Sequence, residues 1–164
     1  PFTPQPIITQ ALLLAADIPV FAGVGGGLTK GQRVVNLAMF AEMQGATGVV
    51  LNAPTANTVV QHVAETIDIP VVVTVARADT DFDARLQAGA NIFNVSAAAE
   101  TPAIVRSIRE RYPDVPIIAT GGPTDESILE TIQAGANAIT WTPPTNGEIF
   151  RDIMAAYRDN KPHP

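Results

Sequence analysis

Polar residues stand where several short apolar runs end. In VARADTDFD, Arg77 and Asp79 directly follow one of these runs. An arginine there can clamp a carboxylate or a phosphate, and an aspartate can act as a general base or bind a metal ion. Asp81 and Asp83 are better explained as residues that cap and charge the start of the next helix. We therefore predict catalytic roles for Arg77 and Asp79.

The segment GVGGGLTKG, residues 23–31, has the composition of an anion-binding loop. Successive backbone N–H groups beside a helix start can hold an anion, and Gly25, Gly26 and Gly27 would supply them. A flexible turn explains the same glycines equally well. Lys30 is one of only two lysines, so it is the candidate amine if the reaction forms an imine.

A second glycine pair, Gly121-Gly122, is the better phosphate candidate. It joins an apolar run to a predicted helix that Thr124 can cap, with acidic residues in the first turn. The amides that follow would face a bound anion. The alternative is that both glycines serve a tight turn.

Other polar residues stand at the ends of the remaining apolar runs. Asn52 is a further candidate catalytic residue, and the further candidates for substrate binding are Asn94, Ser96, Thr120 and Thr142. A nucleophile-histidine-acid triad is not indicated. Cysteine is absent, His163 is near the end of the sequence, and His62 is expected on the outer face of a helix.

The apolar runs alternate with amphipathic segments, which predicts strands alternating with helices. Three helices should end at Gly45, Gly89 and Gly135, each followed by Ala and the next strand. The predicted strands are 18–23, 47–52, 69–76, 91–96, 115–120 and 136–142. The predicted helices are 3–16, 30–45, 55–67, 81–88, 101–112, 124–135 and 147–157. In helix 101–112 we expect the charged residues, Arg109 among them, to face outward.

Alternating strands and helices allow either an open doubly wound sheet or a (βα) barrel. A nucleotide-binding sheet should show GxGxxG at a helix start and an acidic residue about 20 positions later, and this order does not occur. We therefore predict an α/β, TIM-barrel-like repeat of about six parallel strands, an incomplete or six-unit barrel, in one domain spanning 1–164. Residues 1–17 would form an N-terminal helical segment and 159–164 a tail. The candidate residues stand at the carboxyl ends of the strands, where such barrels have their active sites.

The recurring order of Gly-Ala, apolar strand, turn and Ile-Pro strand resembles the phosphate-binding type of (βα)8 barrel over residues 18–158. That group includes thiamin phosphate synthase, keto-deoxy-phosphogluconate aldolase and N-acylmannosamine-phosphate epimerase. In one alignment, IIATGGPTDESILETIQAGANAI resembles the seventh strand, its phosphate loop and the eighth strand. In the other, GATGVVLN, IPVVVTVARAD and AITWTPPT resemble strands two, three and six of the epimerase. Both alignments leave the chain two units short of eight.

The resemblance implies a small phosphorylated or carboxylated substrate and isomerase, lyase or aldolase-like chemistry. This sequence departs from the group at the catalytic lysines. Ala76 stands where the epimerase has its lysine, and Thr74, Asn94 or Thr140 stands where the aldolase has its own. We therefore do not expect an imine-forming aldolase.

The amino-acid composition argues against some classes of binding partner. The net charge is −6 and lysine and arginine form no cluster, which argues against nucleic acid and anionic membranes. No apolar run is long enough to span a bilayer, no secretion signal is recognisable, and cysteine is absent, so we expect a cytoplasmic protein. Open sheet edges would favour a homo-oligomer, specifically a dimer.

Three functions stay open at this point. The leading expectation is a small-metabolite enzyme of the isomerase, lyase or aldolase-like type. The enzyme alternative is a metal-assisted hydrolase with a divalent ion near Asp79. The non-enzyme alternative is a barrel that binds a small metabolite without catalysis. No cofactor is predicted, although a divalent metal remains an option.

Overall fold

The computed structural model describes residues 4–141 and 145–159, and within them six strands alternate with seven α-helices. The strands are β1 (Phe21–Gly25), β2 (Gly48–Leu51), β3 (Val71–Val75), β4 (Ile92–Val95), β5 (Ile117–Thr120) and β6 (Ala138–Thr140). The helices are α1 (Pro6–Ala15), α2 (Gln32–Met43), α3 (Asn57–Ala64), α4 (Phe82–Gln87), α5 (Thr101–Arg111), α6 (Asp125–Gln133) and α7 (Asn146–Arg158). A 3₁₀ turn at Ala98–Glu100 leads into α5.

The six strands form one parallel sheet in chain order, from β1 at one edge to β6 at the other. A helix connects each strand to the next, so the sheet is a series of βαβ units. The sheet curls into a half-barrel. This confirms the predicted α/β repeat of about six parallel strands. Among the described residues, the outer edges of β1 and β6 pair with no strand.

The core lies between the sheet and its helices. In β1 to β5 alternate residues point to the helix side and are buried, as Leu51, Val73 and Phe93 show. In β6, Ile139 is only partly buried. The ring of Phe82 in α4 meets that of Phe93 edge to face, with centroids 5.4 Å apart. Burial of each such side chain stabilises the fold by about 1.5–3 kcal/mol. The spacing of apolar residues in the sequence predicts this side of the sheet, because its side chains are uniformly apolar.

The predicted helix ends are confirmed where the sequence repeats Gly-Ala. Gly45, Gly89 and Gly135 follow α2, α4 and α6 with φ of 93°, 99° and 109°. The prediction for β1 is two to three residues too early. Pro19 has no N–H, and the N–H of Val20 is donated to Thr47 Oγ1 instead of to the sheet.

The expectation that Arg109 faces solvent is wrong. Its guanidinium is half-buried and donates hydrogen bonds to the carbonyl oxygens of Gly135 and Val115 and to Asn137 Oδ1. Arg109 therefore fastens the end of α5 to the turn before β6. His62 is exposed, as predicted.

In the part of the chain that the structure describes, no helix combines the length and the apolar character needed to cross a membrane.

Candidate substrate-binding site

A row of uncharged polar side chains crosses the concave side of the sheet near the carboxyl ends of its strands. We call this row, Thr74, Asn94, Ser96, Thr120 and Thr140, the polar belt. Its members alternate with core-facing residues, so they face away from the helices. Asn94 Nδ2 donates to Thr74 Oγ1 at 3.3 Å, and Thr140 Oγ1 donates to Thr120 Oγ1 at 3.3 Å. These bonds hold neighbouring side chains in fixed orientations.

One acceptor in the polar belt is unused. Asn94 Oδ1 is buried and has no hydrogen-bond partner among the described residues. A buried acceptor without a partner costs about 1–3 kcal/mol. A ligand that donates a hydrogen bond to this oxygen would remove that cost on binding.

Asn52 extends the polar belt toward β1. It follows Leu51, which pairs with Val73, so the same register places Asn52 beside Thr74. Its backbone N–H donates to Gly25 O at 2.9 Å, and its carbonyl accepts the hydroxyl of Thr55 at 2.7 Å. Asn52 is therefore held from both sides.

The first glycine segment packs tightly on this loop. A Cβ on Gly26 would lie 1.7 Å from Thr55 Oγ1, and Gly26 has φ of 93°. The N–H of Gly26 is donated to Thr29 O at 2.9 Å. Close packing thus accounts for Gly26, and its amide is already engaged.

Arg85 fixes the same loop from α4, and sequence reasoning missed it. Its guanidinium donates to Thr55 O, to Ala53 O at 2.9 Å and to Asn57 Oδ1 at 2.8 Å. Partial burial lowers the pKa of Arg85. No local pattern distinguishes an arginine that binds a distant loop from one that faces solvent.

Arg77 and Asp79 form an ion pair on the rim of the concave side. Arg77 Nε and Nη2 each donate to one oxygen of Asp79 at 2.8 Å, with side chains 77% and 68% exposed. The hydrogen bond from Arg77 lowers the pKa of Asp79, and the same bond raises the pKa of Arg77. Asp79 is therefore ionised and already paired. The predicted cap Asp81 does accept from Ala84 N at 3.0 Å.

The second glycine pair lies at the start of α6. Gly121 is buried, and a Cβ there would lie 2.7 Å from both Ile128 and Ile139. Thr124 caps the helix as predicted, and Ser127 returns the bond. A tight, filled turn accounts for Gly121, and a phosphate site at this pair stays a prediction.

One carboxylate of the chain itself, that of Glu126, interacts with its own backbone N–H at that helix start. Backbone hydrogen bonding, followed by a bond with the Thr124 side chain, lowers the pKa of Glu126. An external anion would compete with this carboxylate for the same donors.

Two predicted residues do not join the polar belt. Lys30 lines a separate cavity of about 160 Å³ between the starts of α2 and α3, together with Val34 and Val59. Thr142 lies outside the described residues. Thr74, in turn, was missing from the predicted site, although its alternation with buried valines was a usable signal.

A cavity of about 770 Å³ opens on the concave side over β1 and β2. The described residues that line it carry no ionisable side chain and come from α1 and its entry, the glycine segment and the end of β2. They are Pro4, Gln5, Ile8, Thr9, Gly23, Gly25, Gly27, Leu28, Thr29, Val50 and Asn52. The cavity and the polar belt meet at Asn52.

A metal site is not apparent in residues 4–141 and 145–159, where no three His, Asp or Glu side chains come together. At the rim, Asp79 already binds Arg77. A divalent ion there would have to displace that arginine.

No protein-family model matches this sequence, and no curated protein matches it. Solved structures do match its fold. One is 2,3-dimethylmalate lyase, a member of the PEP mutase/isocitrate lyase superfamily, with 15% identity and a TM-score of 0.69 over 96% of this chain and 68% of that one. Another is phosphonopyruvate hydrolase in complex with oxalate and Mg²⁺, with 15% identity and a TM-score of 0.67 over 95% and 66%.

A third match is N-acetylneuraminate lyase from Mycoplasma synoviae, with 16% identity and a TM-score of 0.69 over 94% of this chain and 56% of that one. At these identities the likeness establishes the TIM-barrel type of fold. The chain spans between about half and two thirds of the length of these three enzymes.

Proposed function

We propose that the chain belongs to a lyase- or isomerase-type enzyme that binds a small carboxylated or phosphorylated substrate on the concave side of the sheet. The polar belt is the observation that carries this proposal. It places hydroxyl and amide groups at the carboxyl ends of successive strands, where barrels of this type act on their substrates. The similar folds of lyases and of an oxalate-binding hydrolase support the same substrate class.

The polar belt would bind the head of such a substrate. The hydroxyls of Thr74 and Thr120 accept hydrogen bonds from Asn94 and Thr140, so their own protons can be donated to carboxylate or carbonyl oxygens. Asn94 Oδ1 can accept from a substrate hydroxyl. Arg77 is exposed enough to turn from Asp79 to a substrate carboxylate, with the same two-pronged geometry.

Arg77 and Asp79 would then work together in proton transfer. A substrate anion that takes Arg77 removes the hydrogen bond that now lowers the pKa of Asp79. The pKa of Asp79 would rise toward its ordinary value, which makes it a better base. Asp79 would accept the proton from a carbon next to a carbonyl, and the C–H electron pair would move into an enolate stabilised by the threonine hydroxyls.

The test combines binding with proton exchange. Calorimetry with pyruvate, oxalate and inorganic phosphate should detect binding that Arg77→Gln and Thr120→Val each weaken at least fivefold. Arg106→Gln is the matched control, because Arg106 is exposed on α5. In D₂O, proton NMR should show exchange of the pyruvate methyl protons that Asp79→Asn slows. Absence of binding by all three anions would sink the proposal.

A metabolite-binding barrel without catalysis is the second candidate. It is favoured by the polar belt itself, whose five described side chains do not titrate at ordinary pH. Binding of a keto acid without proton exchange would select it. The metal-assisted hydrolase stays a prediction, and binding that requires Mg²⁺ would support it.

We also infer that the chain self-associates through α1. This helix, PIITQALLLA, has no charged residue and no buried one, and Ile7 and Leu14 are 74% and 82% exposed. An uncharged helix of this kind is normally covered. Light scattering should show a dimer that Leu14→Glu converts to a monomer, and a parent protein that is monomeric at high concentration would contradict this.

A further inference from the structure

Packing does not require glycine at position 23. It lies inside β1, paired with Val50, and its φ is not positive. Among the described residues outside its own chain neighbours, no heavy atom lies within 4 Å of the place where a Cβ would stand. Glycine in a strand interior often marks a bulge or a place where a ligand approaches the backbone closely. The register of β1 against β2 shifts between Gly23 and Gly25, but Gly25, with φ of 122°, is the residue whose conformation favours glycine. A side chain would fit here, so packing does not explain its absence.

The missing side chain leaves room in the 770 Å³ cavity that Gly23 lines. This volume falls within the range of small-molecule sites, about 300–1,000 Å³. Ile8 and Leu28 line the cavity and Val50 lies beside Gly23. None of the lining residues in the described part of the chain is charged. The cavity therefore suits an uncharged and largely apolar group.

The cavity borders the proposed head site at Asn52. Gly23 pairs with Val50, Val50 with Val72 and Val72 with Ile92, so one apolar row runs across the concave side. The polar belt runs beside this row toward the carboxyl ends of the strands, and Asn52 contributes to the cavity as well. A single ligand can thus lie across both surfaces.

We propose that the substrate carries an uncharged apolar tail of at least three carbons, which lies on the bare backbone of Gly23 while its carboxylate occupies the polar belt. This inference rests on the proposed function, which supplies the position of the head. It separates the two ends of the substrate chemically: the head is recognised by hydrogen bonds and the tail by burial.

A keto acid series tests the tail separately from the head. Affinities of pyruvate and 4-methyl-2-oxopentanoate are measured by calorimetry on the parent protein, Gly23→Val and the control Gly147→Val. The control glycine is in α7, and among the described residues a Cβ there would meet only Thr145 Oγ1, at 3.9 Å. Each buried carbon group should tighten binding about fourfold. The longer acid should therefore bind the parent at least about tenfold more tightly than pyruvate.

In Gly23→Val that advantage should disappear, because the new side chain fills the tail site. Pyruvate affinity should change less than about twofold, and the melting temperature should not fall, since valine favours strands and displaces nothing. Gly147→Val should keep the full advantage.

The failures are distinguishable. If both acids bind the parent with equal affinity, the proposed tail site at Gly23 is refuted, and the proposed head site in the polar belt is not affected. A fall in melting temperature with parallel losses for both acids would show that Gly23 is structural, which also overturns the tail. If neither acid binds the parent, the proposed function fails and the tail fails with it.

Discussion

Arg85→Met should destabilise the protein and loosen the loop that presents Asn52. The guanidinium of Arg85 donates to two backbone oxygens and one side-chain oxygen of residues 53–57. A hydrogen bond from a charged donor contributes about 1.5–3 kcal/mol net, and bonds from one group are not additive. Methionine keeps most of the apolar stem, so packing is nearly conserved.

We expect a loss of about 3 kcal/mol, since the substitution also leaves the buried loop around Thr55 with unpaired carbonyl oxygens. In a domain of this size, that corresponds to a fall in melting temperature of roughly 6–12 °C. Urea unfolding gives the free energy, and calorimetry gives the melting temperature. Arg85→Lys should recover less than half of the lost free energy of unfolding. A single ammonium cannot reproduce the planar arrangement of N–H donors of a guanidinium.

The control is Arg106→Met, an exposed arginine that should tolerate the change within about 0.5 kcal/mol. If Arg85→Met and Arg106→Met are equally stable, the hydrogen bonds from Arg85 to residues 53–57 do not stabilise the protein, which would refute the expectation. Hydrogen exchange should further show faster exchange of the Thr55 amide in Arg85→Met than in the control.

Three further results are expected. Gly26→Ala should cost at least about 3 kcal/mol in urea unfolding, because it combines a clash with Thr55 and a positive φ, whereas Gly27→Ala should be mild. Arg109→Met should cost about 3 kcal/mol by the same assay, since its guanidinium binds the carbonyl oxygens of the turn before β6, and a cost near zero would contradict this. Glu148 has a lowered pKa, chiefly through a hydrogen bond with the Thr145 side chain, so its contribution is present above its ordinary value of 4.5 and is lost as pH falls through the lower folded value. Acid unfolding curves of Glu148→Gln should therefore fall less steeply below about pH 4.5 than those of the parent, and parallel curves would refute the assignment.

The helix-facing half of the fold could be predicted from the sequence because its signals are local. Gly45, Gly89 and Gly135 mark helix ends by a backbone conformation that depends on the residue itself. Buried strand residues such as Val73 and Phe93 reveal the core by their spacing. These signals need no knowledge of distant contacts.

The candidate site could be predicted only in part, because its contacts join distant residues. Asn94 and Thr120 were found as polar residues at strand ends, but their pairing with Thr74 and Thr140 depends on strand register. Arg85 reaches a loop about 30 positions away, and its helix gives no sign of this. Gly25 was assigned to the glycine segment after the strand, whereas its pairing with Leu51 places it in β1.

The two sides of the sheet differ in a way that packing alone does not explain. A closed barrel of this type fills its interior mainly with bulky branched residues. Here Val72 and Ile92 follow that rule in the apolar row, but Gly23 leaves the end of the row bare. Two residues after Ile92 in β4, Asn94 places on the concave side a buried oxygen, Oδ1, that has no hydrogen-bond partner among the described residues. This lowers the stability of the protein. Both features weaken the empty protein, and both cease to be costs when a ligand with a hydrogen-bonding head and an apolar tail occupies the concave side.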